Sequence, residues 1–320
     1  MTKQISLGVI GVGYWGSLLV KKFSSLPNTS VLMVADLNSK RLQEIKKSFP
    51  KIKTSTKYQD VLRDISIDGV VIATPVLTHY KIAKDALLAE KHIFVEKPLT
   101  KTLKQTKELL KIARKKNLII MIDSIYLYHP AVQEIKKMID SGKLGKIMFI
   151  QSVRLGLELF PKGVNVVWDL APHDIALITH LLGKKPKKIS LKKSSLVNKD
   201  TVDTAFINLE FSKNLIAQVM ISWLSPAKVR HFAVGGTKGT IVFDETREDK
   251  LLFFDTKIDK SFGKHKIFQP DRIGKPVLFP DKEPLILVCQ DFVNSIIGKR
   301  EPLAGTELSV KVIEILEKIR

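Results

Sequence analysis

The chain has 320 residues, 44% of them apolar, and a formal net charge of +21. Its length predicts two domains, each large enough to bury a core, and no apolar run approaches the ~18 residues that a membrane span needs. The lone cysteine, Cys289, excludes an intramolecular disulfide and a cysteine metal cluster, and it fits a reducing cytoplasm.

The positive charge suits either nucleic acid or an anionic substrate drawn in electrostatically. Its lysines, however, are scattered along helical stretches (Lys46, Lys47, Lys115, Lys116) and in connections (Lys184 to Lys188). No helix-turn-helix, zinc-finger or RNA-binding signature accompanies them. The plainer reading is a solvated basic surface, with no nucleic-acid partner. The N-terminal residues lead directly into an apolar strand, so no secretory segment is expected.

That strand (Ile5, Leu7, Val9, Ile10) runs into Gly11, Gly13 and Gly16, which have the G-x-G-x-x-G spacing, and then into a helical pattern (Leu18, Leu19, Val20, Phe23). The first glycine permits a tight turn, the second lets the backbone approach a pyrophosphate, and the third lets helix pack closely on strand. The helix N-terminus would offer backbone N–H groups to the same pyrophosphate. Tyr14 and Trp15 lie inside this turn and count with its glycines as cofactor-binding candidates. A second strand, Val31 to Ala35, ends at Asp36. A carboxylate there accepts hydrogen bonds from the adenosine ribose and repels a 2′-phosphate, which favours NAD over NADP. Lys40 and Arg41 follow and would help a 2′-phosphate; alternatively, Asp36 only caps the helix that starts near Asn38.

Strand and helix alternate to about residue 122, which predicts a doubly wound α/β domain with a parallel sheet over residues 1–122. A third strand is weakly marked near Lys53 to Thr56. The fourth, Gly69 to Ala73, is apolar without alternation, as a strand buried on both faces should be. Thr74, Pro75 and His79 follow its C-terminal edge, where ligands bind in open α/β sheets; His79 equally suits a helix start with no ligand contact. The next strand, His92 to Val95, delivers Glu96-Lys97-Pro98 to that edge. Pro98 restricts the backbone at Lys97. A lysine held there can bind a substrate hydroxyl and help move its proton, with Glu96 orienting it or the cofactor ribose. A last strand, Leu118 to Ile122, closes the domain.

The second domain is assigned to residues 123–320. It opens with Asp123, a segment ending Tyr126-Leu127-Tyr128-His129-Pro130, and a helix from Ala131 to Asp140 stopped by Ser141-Gly142. Strand-like runs over Ile147 to Val153, Ala205 to Phe211, Leu215 to Ile221, Val229 to Val234 and Thr240 to Phe243 predict a mostly antiparallel open sheet in an α+β domain. Short polar turns such as Ser212-Lys213-Asn214 join several of them. Between the first two runs lies the densest chemical stretch, Asn165-Val166-Val167-Trp168-Asp169-Leu170-Ala171-Pro172-His173-Asp174. Asp169 and His173 are four apart, so helical geometry puts both on one face. An imidazole beside a carboxylate is a general base suited to neutral pH. The alternative is a capped helix start with a satisfied histidine, in which Asp174 is a first-turn carboxylate.

Three stretches together, G-V-G-Y-W-G, V-E-K-P-L and D-L-A-P-H-D, resemble the Gfo/Idh/MocA oxidoreductases, and the helical segments Leu285 to Ile297 and Glu307 to Ile319 resemble that family's closing helices. The resemblance implies a Rossmann domain that binds NAD, and hydride transfer from a carbinol carbon of a sugar or cyclitol to the nicotinamide. It also implies a catalytic cluster on Lys97, Asp169 and His173. His173 would take the hydroxyl proton, Lys97 would stabilise the developing oxyanion and Asp169 would position the sugar, with the principal base left open between Lys97 and His173.

Here N-V-V-W-D-L-A-P-H-D stands where many members carry a glycine-rich stretch. With I-D-S-I-Y-L-Y-H-P-A-V and R-L-G-L-E, it resembles the branch that oxidises UDP-N-acetylglucosamine-type sugars at ring carbon 3. Tyr128, Arg154, Asn165 and Trp168 are then candidates to line the sugar or nucleotide pocket, and each could equally be structural. Arg154 leads, because a guanidinium matches phosphate geometry. An inositol or free-sugar dehydrogenase is the second enzyme reading, and a catalytically silent dinucleotide sensor is a third. Retention of Lys97, Asp169 and His173 argues against silence. The family analogy also suggests a homodimer or homotetramer.

Overall fold

The structure is a computed structural model that describes residues 4–157, 163–212, 215–255 and 273–319. Its first half alternates β1 (Ile5–Ile10), α1 (Tyr14–Ser24), β2 (Thr29–Ala35), α2 (Ser39–Ser48), β3 (Lys53–Ser55), α3 (Tyr58–Arg63), β4 (Gly69–Ile72), α4 (Val76–Leu88), β5 (His92–Val95), α5 (Leu103–Lys116) and β6 (Ile120–Ile122). These six strands form one sheet in the order β3-β2-β1-β4-β5-β6, and every neighbouring pair is parallel. The reversal of strand order beside β1 puts the C-terminal edges of β1 and β4 at the topological switch point, where ligands bind in such sheets. All four β4 residues are buried, as its unbroken apolar run predicts.

The second half contains α6 (Pro130–Asp140), β7 (Ile147–Leu157), α7 (Val166–Leu182), β8 (Lys188–Ser194), β9 (Thr204–Ser212), β10 (Leu215–Ser222), β11 (Leu224–Gly236), β12 (Gly239–Asp244), β13 (Leu251–Phe254), β14 (Lys275–Pro276), α8 (Pro284–Gly298) and α9 (Thr306–Lys318). Its eight strands run in the order β14-β13-β12-β11-β7-β10-β9-β8. β7 and β10 are parallel and the other neighbours antiparallel. The expected sheet is therefore present and larger than expected. β8 begins at Lys188, the last residue of the lysine-rich connection, and its burial alternates, with Ile189 and Leu191 half-buried and Lys188, Ser190 and Lys192 exposed. In the expected turn at Ser212, Lys213 and Asn214 fall outside the described residues. None of the described helices is long and apolar enough to cross a membrane.

The chain divides into two compact units, Met1–Tyr128 with Lys282–Glu317, and His129–Asp281 with Lys318–Arg320. This division differs from the boundary expected at residue 122 and from the assignment of both closing helices to the second domain. The physical reason is aromatic. Phe292 of α8 packs edge-on against Phe94 of β5 and Phe23 of α1, with ring centroids 5.6 and 6.2 Å apart, and Phe23 meets Phe94 at 5.5 Å. Such contacts add ~0.5–1.5 kcal/mol each beyond the area they bury.

Candidate active site

The glycine turn fits a dinucleotide. Gly11 has φ +87°, and a Cβ there would lie 2.5 Å from the Ala73 carbonyl oxygen; a Cβ on Gly16 would lie 2.0 Å from the Gly11 carbonyl oxygen. Both glycines are obligatory for the turn itself. Gly13 differs, since the nearest atom to its hypothetical Cβ is Arg41 Nη1 at 3.8 Å. It is the N-cap of α1 and brings no capping side chain, so the start of the helix presents backbone across open space, as a pyrophosphate site requires. Tyr14 is 83% exposed at this turn. The Trp15 indole Nε1–H donates to Asp123 Oδ2 at 2.7 Å.

Asp36 sits against the same turn. Its Oδ2 accepts the Val12 N–H and its Oδ1 the Asn38 N–H, both at 2.8 Å, while Arg41 Nη1 stands 3.7 Å from Oδ2. The N-cap of α2 is Asn38, whose side chain accepts the Lys40 N–H; Asp36 is therefore not the helix cap. An ionised carboxylate has about four lone-pair sites, so two backbone bonds leave Asp36 able to accept ribose hydroxyls.

Thr74 and Pro75 follow β4, and Pro75 is the N-cap residue of α4. His79 is not open to a cofactor. It is 1% exposed, with Nδ1 2.9 Å from the Pro98 carbonyl oxygen and Nε2 2.7 Å from that of Thr74. Burial holds its pKa below the ordinary histidine value. The ring thus bridges the segment after β4 to the Lys97-Pro98 turn, whose peptide bond is cis. Lys97 itself is half-buried at the end of β5. Glu96 Oε1 is sealed from solvent, and burial pushes the Glu96 carboxyl well above the ordinary glutamate range.

In the second unit, α7 begins at Val166, earlier than its start-like motif suggests, and carries Pro172 inside. Asn165 is its N-cap, with Oδ1 accepting the Trp168 N–H at 3.1 Å, and Trp168 is buried. The helix is buried along almost its whole length; Asp169 and His173, one turn apart, are among its few partly open positions. Trp223 is fully buried, and its indole Nε1–H donates to Asp169 Oδ2 at 3.2 Å.

Two pocket candidates take structural places. Tyr128 is buried; its hydroxyl donates to Asp291 Oδ2 at 2.6 Å and accepts the Ala304 N–H at 3.2 Å, and burial raises its pKa. Arg154 is buried too, with Nε on Asp174 Oδ2 and Nη2 on Asp174 Oδ1, both at 3.0 Å. Ser152 Oγ donates to the same carboxylate at 2.8 Å. The guanidinium fork that would match a phosphate is engaged inside the unit, and Asp174 is a buried ion-pair partner rather than a first-turn carboxylate.

Sequence reasoning missed Trp223 and Asp123 as supports of Asp169 and Trp15. An indole N–H must find an acceptor when buried, but nothing in the linear order names that acceptor.

Comparison with known proteins identifies the family of the chain. Residues 5–124 match the model of an oxidoreductase family with an NAD-binding Rossmann fold, and residues 132–242 match the GFO/IDH/MocA C-terminal domain. The chain is 26% identical over 270 residues to the scyllo-inositol 2-dehydrogenase (NAD(+)) of Bacillus subtilis (strain 168), covering 80% of this chain and 79% of that one. It is 28% identical over 210 residues to the UDP-N-acetylglucosamine 3-dehydrogenase of Acidithiobacillus ferrooxidans, covering 63% and 62%. A levoglucosan dehydrogenase solved with NADH and levoglucosan superposes with a TM-score of 0.86 at 21% identity, over 99% of this chain and 96% of that one. With both family models matched and the glycine turn shaped for a dinucleotide, the chain belongs to the Gfo/Idh/MocA family of NAD-binding oxidoreductases.

Proposed function

We propose that the protein is an NAD-dependent sugar dehydrogenase that oxidises a carbinol carbon, with ring carbon 3 of a UDP-amino sugar as the preferred target. The observation that carries the reading is the pair Asp169 and His173, left partly open on one turn of an otherwise buried helix. When bound, NAD supplies the hydride acceptor. His173 takes the proton of the substrate hydroxyl, Lys97 stabilises the developing negative oxygen, and Asp169, oriented by Trp223, accepts hydrogen bonds from the sugar. Likeness to a UDP-N-acetylglucosamine 3-dehydrogenase supports the substrate class. Likeness to an inositol dehydrogenase supports the second reading, a cyclitol or free sugar. A homodimer or homotetramer in the cytoplasm belongs to the same proposal. Phe149 and Ile216, register partners on β7 and β10, are 43% and 46% exposed on the sheet and would be covered by a second copy.

A substrate panel read as NADH absorbance tests the assignment. UDP-N-acetylglucosamine is expected to be oxidised and myo-inositol to be a poor substrate; the reverse order replaces the first reading by the second. In this scheme Asp36 selects the cofactor. Asp36→Ala is expected to narrow the NAD-over-NADP preference in kcat/KM, and an unchanged ratio removes that role.

A further inference from the structure

His79 is a buried titratable group that the proposed chemistry leaves unused. It lies in the first turns of α4 and is 1% exposed. Each ring nitrogen meets a backbone oxygen: Nδ1 is 2.9 Å from the Pro98 carbonyl and Nε2 is 2.7 Å from the Thr74 carbonyl. A carbonyl oxygen only accepts, and a neutral imidazole carries a single N–H. The neutral ring therefore donates to one of these oxygens and turns a lone pair toward the other. Only the imidazolium, with an N–H on each nitrogen, satisfies both contacts at these distances.

The two carbonyls belong to the two strand ends that frame the candidate cofactor edge. Thr74 follows β4, and its segment lies directly against the glycine turn: a Cβ on Gly11 would be 2.5 Å from the Ala73 carbonyl oxygen and 2.9 Å from Thr74 Cγ2. Pro98 follows Lys97 at the end of β5. β4 and β5 pair in register up to Ile72 and Val95, and the Glu96 N–H donates to the Ile72 carbonyl at 2.9 Å. His79 ties the two segments beyond that bond.

The charged groups on the elements around the ring are Glu96 and Lys97 after β5, Lys81, Lys84 and Asp85 on α4, and Glu108 on α5. Lys81 pairs with Asp85 at 3.0 Å and Lys84 with Glu108 at 2.7 Å, which leaves Lys97 as the cation that acts on the ring. Burial opposes the second proton most strongly, the two carbonyls favour it and the Lys97 charge opposes it. The ring therefore gains that proton below the ordinary histidine range.

We propose that His79 is a positioning residue that works as a proton-operated clip: with two protons it ties the Thr74-Pro75 segment to the Lys97-Pro98 turn, and with one it releases one of them. Closing the clip fixes the Thr74 segment against the glycine turn before the cofactor arrives. Less freedom is then lost on binding, and NAD is held more tightly. The consequence for NAD rests on the reading of Thr74 and Pro75 as cofactor contacts; the proton count on the ring does not.

Two measurements on the full chain test this. Nitrogen-15 NMR, with the His79 ring assigned through its own backbone, reads the state of each ring nitrogen between about pH 5 and pH 8. One bare and one protonated nitrogen are expected at the alkaline end, and two protonated nitrogens at the acid end. A proton count that does not change over this range overturns the clip. These spectra need no variant, so they decide the clip even where a substitution at His79 disturbs folding. The dissociation constant of NAD, followed by quenching of protein fluorescence, is expected to fall about three- to tenfold from the alkaline to the acid end, the worth of one net hydrogen bond. His79→Asn keeps an amide donor but is too short to span both carbonyls, and its NAD affinity is expected to lose that dependence on pH. A dependence that persists in His79→Asn belongs to another group and overturns the positioning role. A parent ring that gains its second proton while NAD affinity stays constant overturns the reading of Thr74 and Pro75 instead.

Discussion

Replacing Lys97 by Met, or His173 by Ala, is expected to lower kcat by about a hundred- to ten-thousandfold, the range that positioned proton-transfer groups supply. NAD affinity, followed by quenching of protein fluorescence, is expected to stay near that of the parent. The backbone of the glycine turn and of the start of α1, and the Asp36 carboxylate, are all distant in sequence from both substitutions. A loss of NAD binding matching the loss of turnover would show that Lys97 serves the cofactor rather than the substrate. Near-normal turnover in either variant would remove that residue from the mechanism. Trp223→Phe provides a graded comparison: it keeps an aromatic ring in the buried slot but deletes the donor to Asp169. Its effect should appear mainly in KM if Asp169 positions the sugar in the ground state, because uniform binding energy is then what is lost.

Asp174→Ala is expected to destabilise the folded chain by about 3–5 kcal/mol, as removal of one member of a buried ion pair does. That is a large share of a total stability of about 5–15 kcal/mol. The Arg154 and Asp174 side chains are 8% and 1% exposed, and the substitution takes away the acceptor of two guanidinium donors and of the Ser152 hydroxyl. Replacing both charges together, as Arg154→Met with Asp174→Leu, is expected to recover most of the loss, since a well-packed apolar pair is often neutral or better by about 1–4 kcal/mol. Denaturant midpoints measure both variants. A loss in Asp174→Ala no larger than the ~0.5 kcal/mol of a surface change would contradict the burial of the pair. The same pair ties α7 to β7, so Asp174→Ala is also expected to disturb Asp169 and His173, which α7 carries.

Local order in the chain determines a good deal of this protein. The G-x-G-x-x-G turn, the alternation of strand and helix to β6, the unbroken apolar run of β4 and the i, i+4 pairing of Asp169 with His173 all depend on neighbours within about one element. The periodicities of 3.6 and 2 residues express them directly. β8 was illegible for a related reason: lysines on its exposed side resemble a connection unless the half-buried Ile189 and Leu191 are known to face inward.

The partners of buried polar groups are a different matter. Arg154 finds Asp174 20 residues away, His79 finds Pro98 at 19, Trp15 finds Asp123 at 108, and Tyr128 finds Asp291 at 163. A buried donor or charge must be satisfied somewhere, but sequence states only the demand. Which group meets it depends on strand order, register and the packing of distant helices. Sequence alone identified a dinucleotide-binding turn, the lysine of the E-K-P segment and a helix bearing an acid and a base. Only the tertiary structure decided that Arg154 and Tyr128 are internal ties and that α8 belongs with the first unit through Phe292, because each depends on contacts that the fold creates between residues far apart in the chain.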